Sequence, residues 1–316
     1  MKTENEQKMK LNRILINITL LSISFLSFGQ NETLKTSEVE IIPHWKKNEA
    51  HSIIIKSTTT DIVKDKPFTY LTTFNANFKV LEKSETEYLV EWIYTNSVIA
   101  NKDPNFENNI LAKLLNTKFK IKLSNFGKFI ELVNVDEIRT ASNKAIDELN
   151  GKDINPNMKV QYNAAKQMIV SKQGLEIALL KHIKLYNLSF GYKYKIDFEQ
   201  LNNMKFPNPL GGAPFDAVEK VKLVNIDTKN SICKIETSKI VEGAVFTKSV
   251  MEYLKKNNKD HIKEIEQEFG NDVFEISESS MQELNFEKGI LKKSSFKRKI
   301  NLGPQNRTVL MEIEAI

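Results

Sequence analysis

Apolar and polar residues alternate with a period of two along most of this chain, and only its middle and one later stretch switch to a helical period. Phe119, Ile121 and Leu123 interleave with Lys118, Lys120 and Lys122, which predicts a strand with one dry and one wet face. Ser124-Asn125-Phe126-Gly127 supplies turn chemistry, and a second strand returns through Phe129, Ile130, Leu132 and Val133. Asn134 stands where an N-cap should. Behind it Val135, Ile138, Ala141, Ala145, Ile146 and Leu149 fall on one helical stripe that stops at Asn150-Gly151.

The same alternation appears upstream. Ser52 to Thr60 reads as a strand. From Phe68 to Glu82 the residues Tyr70, Thr72, Phe74, Ala76, Phe78 and Val80 share one face, and after a turn at 83–86 so do Tyr88, Val90, Trp92 and Tyr94. Beyond Gly151, helical periodicity runs through Val160, Ala164, Met168 and Ile169, and Ser171 is placed to cap a further helix through Leu175, Leu179, Leu180 and Ile183. Strand periodicity resumes at Tyr192, Tyr194, Ile196 and Phe198. A hairpin follows over 218–240, then a helix over 246–269, and three more strands close the chain. Strands in two runs around a helical block, with no βαβ alternation, predict an α+β fold. Its expected form is one large curved antiparallel sheet, half-barrel-like, of about eleven strands packed on a central helical block. No Pro/Gly/Ser-rich linker divides residues 48–316, so a single domain is expected.

Residues 1–29 predict an export signal: Lys8, Lys10 and Arg13 precede an apolar run from Ile14 to Phe28, and Gly29 offers a small residue before Gln30. No later stretch has the roughly 20 apolar residues of a transmembrane helix, and residues 30–47 read as a polar tether that docks at Trp45. Cys233, the single cysteine, lies far from the signal, so the expectation is a protein in the periplasm or secreted, without a lipid anchor or an intrachain disulfide. The net charge of +6 comes almost wholly from lysines scattered among glutamates, with arginine only at 13, 139, 298 and 307. Without a stripe of arginines and interleaved aromatics, nucleic-acid binding is not expected.

Candidate chemistry is sparse. His44, His51, His182 and His261 show no zinc-ligand spacing, and no nucleophile elbow, phosphate loop or dinucleotide fingerprint occurs. Asp136 and Glu137 suit a helix N-terminus, Glu264, Glu266 and Glu268 suit a solvated helix face, and Cys233 sits within a strand as a small hydrophobe. The expectation is a protein without enzymatic activity, metal or cofactor. Two features could bind something. The sheet aromatics Tyr70, Phe74, Phe78, Tyr88 and Trp92 either line a concave apolar face or fill a core. The segment 204–215, with Phe206, Leu210 and Phe215 among three prolines and Gly211-Gly212, either plugs one end of the sheet or presents an apolar loop to a partner.

The stretch Ser27-Phe28-Gly29-Gln30, the long meander, the helix behind Asn134 and Asn208-Pro209-Leu210-Gly211-Gly212 together resemble uncharacterised exported β-rich proteins of Gram-negative bacteria. In architecture the expected fold resembles the periplasmic lipoprotein carriers of the Lol type, whose helices lid a concave face that holds acyl chains. That resemblance implies a hydrophobic, lipid-like ligand held between sheet and helices. The alternative is an envelope protein-protein interaction module that docks through the apolar loop or a strand edge.

Overall fold

The computed structural model describes residues 37–63, 65–100, 106–151, 156–208, 213–257, 263, 267, 273–302 and 305–316. The expected export signal lies outside them. Ser37–Ile316 form one compact unit.

The chain opens with the short strand β1 (Glu38–Glu40) and then folds a first meander: β2 (Ala50–Val63), β3 (Lys66–Lys83), β4 (Glu87–Ala100), β5 (Lys118–Ser124) and β6 (Phe129–Leu132). Helix α1 (Phe106–Lys113) joins β4 to β5. The helical block follows as α2 (Val135–Leu149), α3 (Pro156–Met168), α4 (Lys172–Leu179) and α5 (Lys181–Tyr186), and then comes the short strand β7 (Lys193–Lys195). A second meander completes the chain: β8 (Glu199–Phe206), β9 (Phe215–Asp227), β10 (Ile232–Val241), α6 (Gly243–Asn257), β11 (Glu275–Asn285), β12 (Ile290–Leu302) and β13 (Gln305–Ala315). The last strand pairs antiparallel with β2, which merges both meanders into one eleven-stranded sheet of order β6-β5-β4-β3-β2-β13-β12-β11-β10-β9-β8. The fold is α+β, and its large curved antiparallel sheet is not closed. Its free edges are β6 and β8, and β1 pairs with β7 outside it.

Alternation decides which face is buried. Phe74, Ala76, Phe78 and Val80 of β3 pack with Val90, Trp92 and Tyr94 of β4 and Ile53 and Ile55 of β2 against Ile110, Ile138, Ile146, Leu175 and Ile183 of the helices. A second, smaller apolar cluster lies on the same inner face, where Phe206, Phe215, Ala217, Val241 and Ile276 receive Phe246 and Val250 of α6.

One local expectation held and others changed. Ser171 caps α4, accepting from Gly174 N at 2.9 Å. Asn134 precedes α2 without a capping bond; its side chain instead accepts from Lys120 N at 2.9 Å and donates to Lys118 O at 2.7 Å, tying the helix start to β5. The alternating run 192–198 does not enter the sheet as one strand: β7 leaves to pair with β1, and Asp197, at φ 61°, turns the chain into β8. The helix expected over 246–269 starts at Gly243 and is described to Asn257. Of the expected tether, Val39, Ile41 and Trp45 are buried in the main core.

Candidate ligand-binding groove

The inner faces of β8, β9 and β10 meet in register rows that run across the strands. One row sets Gln200 opposite Val221 and Val221 opposite Thr237, and Leu223 lies one step toward the helical block, opposite Ile235. Over these strands lies the segment 188–195, which carries β7. Tyr194 Oη donates to Ser189 O at 3.0 Å, Ser189 Oγ bonds Gln282 Oε1, and Gln282 Nε2 donates to Leu185 O at 2.8 Å. Gly191 N donates to Ile41 O at 2.7 Å, and Ile41 N to Tyr192 O at 3.1 Å. The segment is thus pinned from both sides. Burial is the main reason that the Tyr194 hydroxyl resists ionisation beyond a free tyrosine.

Between segment and sheet runs a groove with two chambers. The outer one has a volume of about 330 Å³ and is floored by Val221, Leu223 and Tyr194, with Phe198 and the charged Glu38, Lys193 and Lys195 at its rim. The inner one, about 90 Å³, is lined by Leu188, Tyr192 and Val221 together with Gln200, Asn202, Glu219 and Thr237. Tyr194, Gln200 and Val221 line both. The outer volume falls in the range of about 300–1,000 Å³ usual for small-molecule sites.

Next to the inner chamber lies a row of charges. Asn202, Glu219, Lys239, Glu278 and Arg298 stand opposite one another on five adjacent strands and alternate in sign from Glu219 onward. Asn202 Nδ2 donates to Glu219 at 3.2 Å. Lys239 Nζ lies 3.6 Å from Glu219 and 4.0 Å from Glu278, and Arg298 Nε donates to Glu278 at 2.8 Å. Such cross-strand pairs contribute roughly 0.2–1 kcal/mol each. The row separates the two apolar clusters. Glu107 of α1 and Lys181 of α5 approach it from the helices: burial raises the Glu107 carboxyl pKa and lowers that of the Lys181 ammonium, and each opposes the other's shift. The Lys181 ammonium lies over the Phe296 ring, 5.2 Å from its centroid.

Four of the five aromatic residues expected from the sequence come together. Phe74, Phe78, Tyr88 and Trp92 are buried beneath the helices; Phe78, Tyr88 and Trp92 stand ring against ring with Trp45 or Tyr186, and Phe74 with Tyr94 and His182. Centroid distances are 4.8 Å for Trp45–Phe78, 5.6 Å for Phe78–Tyr186 and 5.7 Å for Trp92–Tyr186. Tyr70 sits apart and partly exposed, opposite Thr59. In the expected apolar loop, Phe206 and Phe215 face each other across β8 and β9 and are only 2% and 6% exposed, with Phe215 against Phe246 at 5.7 Å. Neither ring is presented to solvent, and Leu210 lies outside the described residues. The groove residues Gln200, Asn202, Glu219, Val221 and Thr237 gave no separate signal in the sequence. Their alternation reads as ordinary strand patterning until the segment 188–195 is seen to cover them.

Among the described residues no group of histidines, cysteines and carboxylates could hold a metal ion, and no helix is long and apolar enough to cross a membrane. Cys233 lies on the inner face of β10, where burial pushes its thiol pKa up to about 12.

An open antiparallel α+β sheet with a groove along one edge is therefore the class of protein in hand. No family model matches the chain, and none of the curated proteins does. Among solved structures, one of lipovitellin concerned with its lipid–protein interactions is similar at a TM-score of 0.43 and 8% identity over 86% of this chain; the match spans a quarter (25%) of that chain. A loop L8 deletion mutant of OmpT, an outer membrane protein of Vibrio cholerae, matches at a TM-score of 0.18 and 8% identity, over 86% of this chain and 100% of that one. At these scores neither likeness bears on what this chain does.

Proposed function

We propose that this is an exported, non-enzymatic binding or carrier protein for a hydrophobic, lipid-like ligand, and that the ligand occupies the groove between residues 188–195 and the inner face of β8–β10. The observation that supports this reading is the outer chamber of about 330 Å³, apolar in its floor and placed at a free edge of the sheet. A ligand seated there rests on Val221, Leu223 and Tyr194 and has the charged side chains at the rim. Burial of apolar ligand surface then drives binding, at roughly 25 cal/mol per Å² before the costs of association.

Val221 lines both chambers, so Val221→Trp tests the reading by filling the groove. The expected outcome is loss of binding of a fluorescent medium-chain acyl probe, with a melting temperature close to that of the wild type. Undiminished binding in a folded variant would contradict it.

A second reading, docking to an envelope protein, draws on the edge strand β8, where Leu201 is 61% exposed next to Phe198 at 59%. On that reading Val221→Trp keeps its partner, because the change lies inside the groove rather than on the outer face.

A further inference from the structure

The inner chamber differs in chemistry from the outer one, and the difference bears on which amphiphile the groove accepts. Six of its eight lining residues carry a side-chain oxygen able to accept a hydrogen bond: Tyr192, Tyr194, Gln200, Asn202, Glu219 and Thr237. Only Glu219 among the eight is charged. The cation that pairs with it, Lys239, is not part of the lining; its ammonium lies 3.6 Å from Glu219 and is shared with Glu278 at 4.0 Å.

The position of Glu219 in the charge row sharpens this. Lys239 has a carboxylate on each flank, and Glu278 has a cation on each flank. Glu219 is the terminal member: Lys239 stands on one side, and on the other stands the neutral Asn202, whose amide donates to it at 3.2 Å. The row thus carries two carboxylates and two cations, and Glu219 is the carboxylate at its end, where the row meets the chamber.

We infer that the groove selects an amphiphile with a primary ammonium head, seated in the inner chamber against Glu219 with its chain in the outer chamber. The inference rests on the binding function proposed above and adds the head group to it. An ammonium supplies three donors and no acceptor, which suits the Glu219 carboxylate and the side-chain oxygens of Gln200, Asn202 and Thr237. At about 90 Å³ the inner chamber is sized for a small head and excludes a bulky one. An anionic head would meet Glu219 there and could be favoured only outside, near Lys193 and Lys195 at the rim.

The test compares decylamine, decan-1-ol and decanoate, three ligands of equal chain length, by calorimetry on the full chain below their aggregation concentrations. Decylamine is expected to bind about tenfold more tightly than decan-1-ol, the ratio that corresponds to one extra charge-assisted hydrogen bond. Glu219→Gln should bring the amine-to-alcohol ratio close to one. Asn202→Asp, which adds a second carboxylate beside the chamber, should raise it, and this arm stands even if the first variant fails to fold. Decanoate binding as tightly as decylamine, or a ratio indifferent to both substitutions, would overturn the ammonium assignment and leave the groove reading intact. If none of the three ligands bound the wild type, the groove reading would fall together with it.

Discussion

His182 shows how strongly a single side chain can be held by its surroundings. It lies beneath the helical block with Nδ1 3.0 Å from Tyr94 Oη and its ring beside Phe74, and burial is the main reason that its pKa falls to about 3. Above pH 6.5 the imidazole is neutral whether the protein is folded or unfolded. As the pH falls from there toward 3, the unfolded chain takes up a proton that the folded chain refuses, so folding stability declines with pH across that window. Between pH 6.5 and 4.5 the wild type should lose about 2–3 kcal/mol more than His182→Asn, read from denaturant unfolding at both pH values. Equal losses would mean that the ring is not held neutral. The sequence offered His182 only as one of four histidines without zinc-ligand spacing. Its partner Tyr94 lies 88 positions away, beyond the reach of any local pattern.

At the scale of elements, the β11–β12 hairpin and the N-terminal segment are locked together by a glycine. Gly289 has φ 60°, and a Cβ placed there would come within 2.0 Å of Ile42 O and 2.5 Å of Pro43 Cα. Tyr88 Oη donates to Pro43 O at 3.0 Å from the other side, so the backbone of 42–43 cannot retreat freely. Gly289→Ala is therefore expected to cost about 1–3 kcal/mol and to loosen Trp45 from the aromatic core, visible as a red shift of tryptophan emission at neutral pH. An unchanged spectrum and melting curve would show that the contact is not structural. Which elements form was largely legible in advance: the even-numbered run from Thr72 to Val80 wrote the inner face of β3 directly, and Ser171 marked its helix. Where β7 goes was not legible. Tyr192, Tyr194, Ile196 and Phe198 alternate like any sheet strand, and only pairing with β1 and the turn at Asp197 separate them from β8.

For the whole molecule, the consequence is that the site lies where two long-range decisions meet. The sheet is continuous because β13 finds β2, and the groove exists because the segment 188–195 folds over β8–β10 instead of joining them. Neither decision is encoded near Glu219 or Val221, which is why charges that form a row across five strands look in sequence like solvated lysines and glutamates. The aromatic residues that stood out instead, Phe74, Phe78, Tyr88 and Trp92, pack against one another and the helices. The most direct measurement is native mass spectrometry of the protein purified without detergent from the exported fraction. A population heavier by one amphiphile-sized mass, absent from Val221→Trp, is the expected result. A single unliganded mass that persists after lipids are added would contradict the groove account and favour docking through the β8 edge.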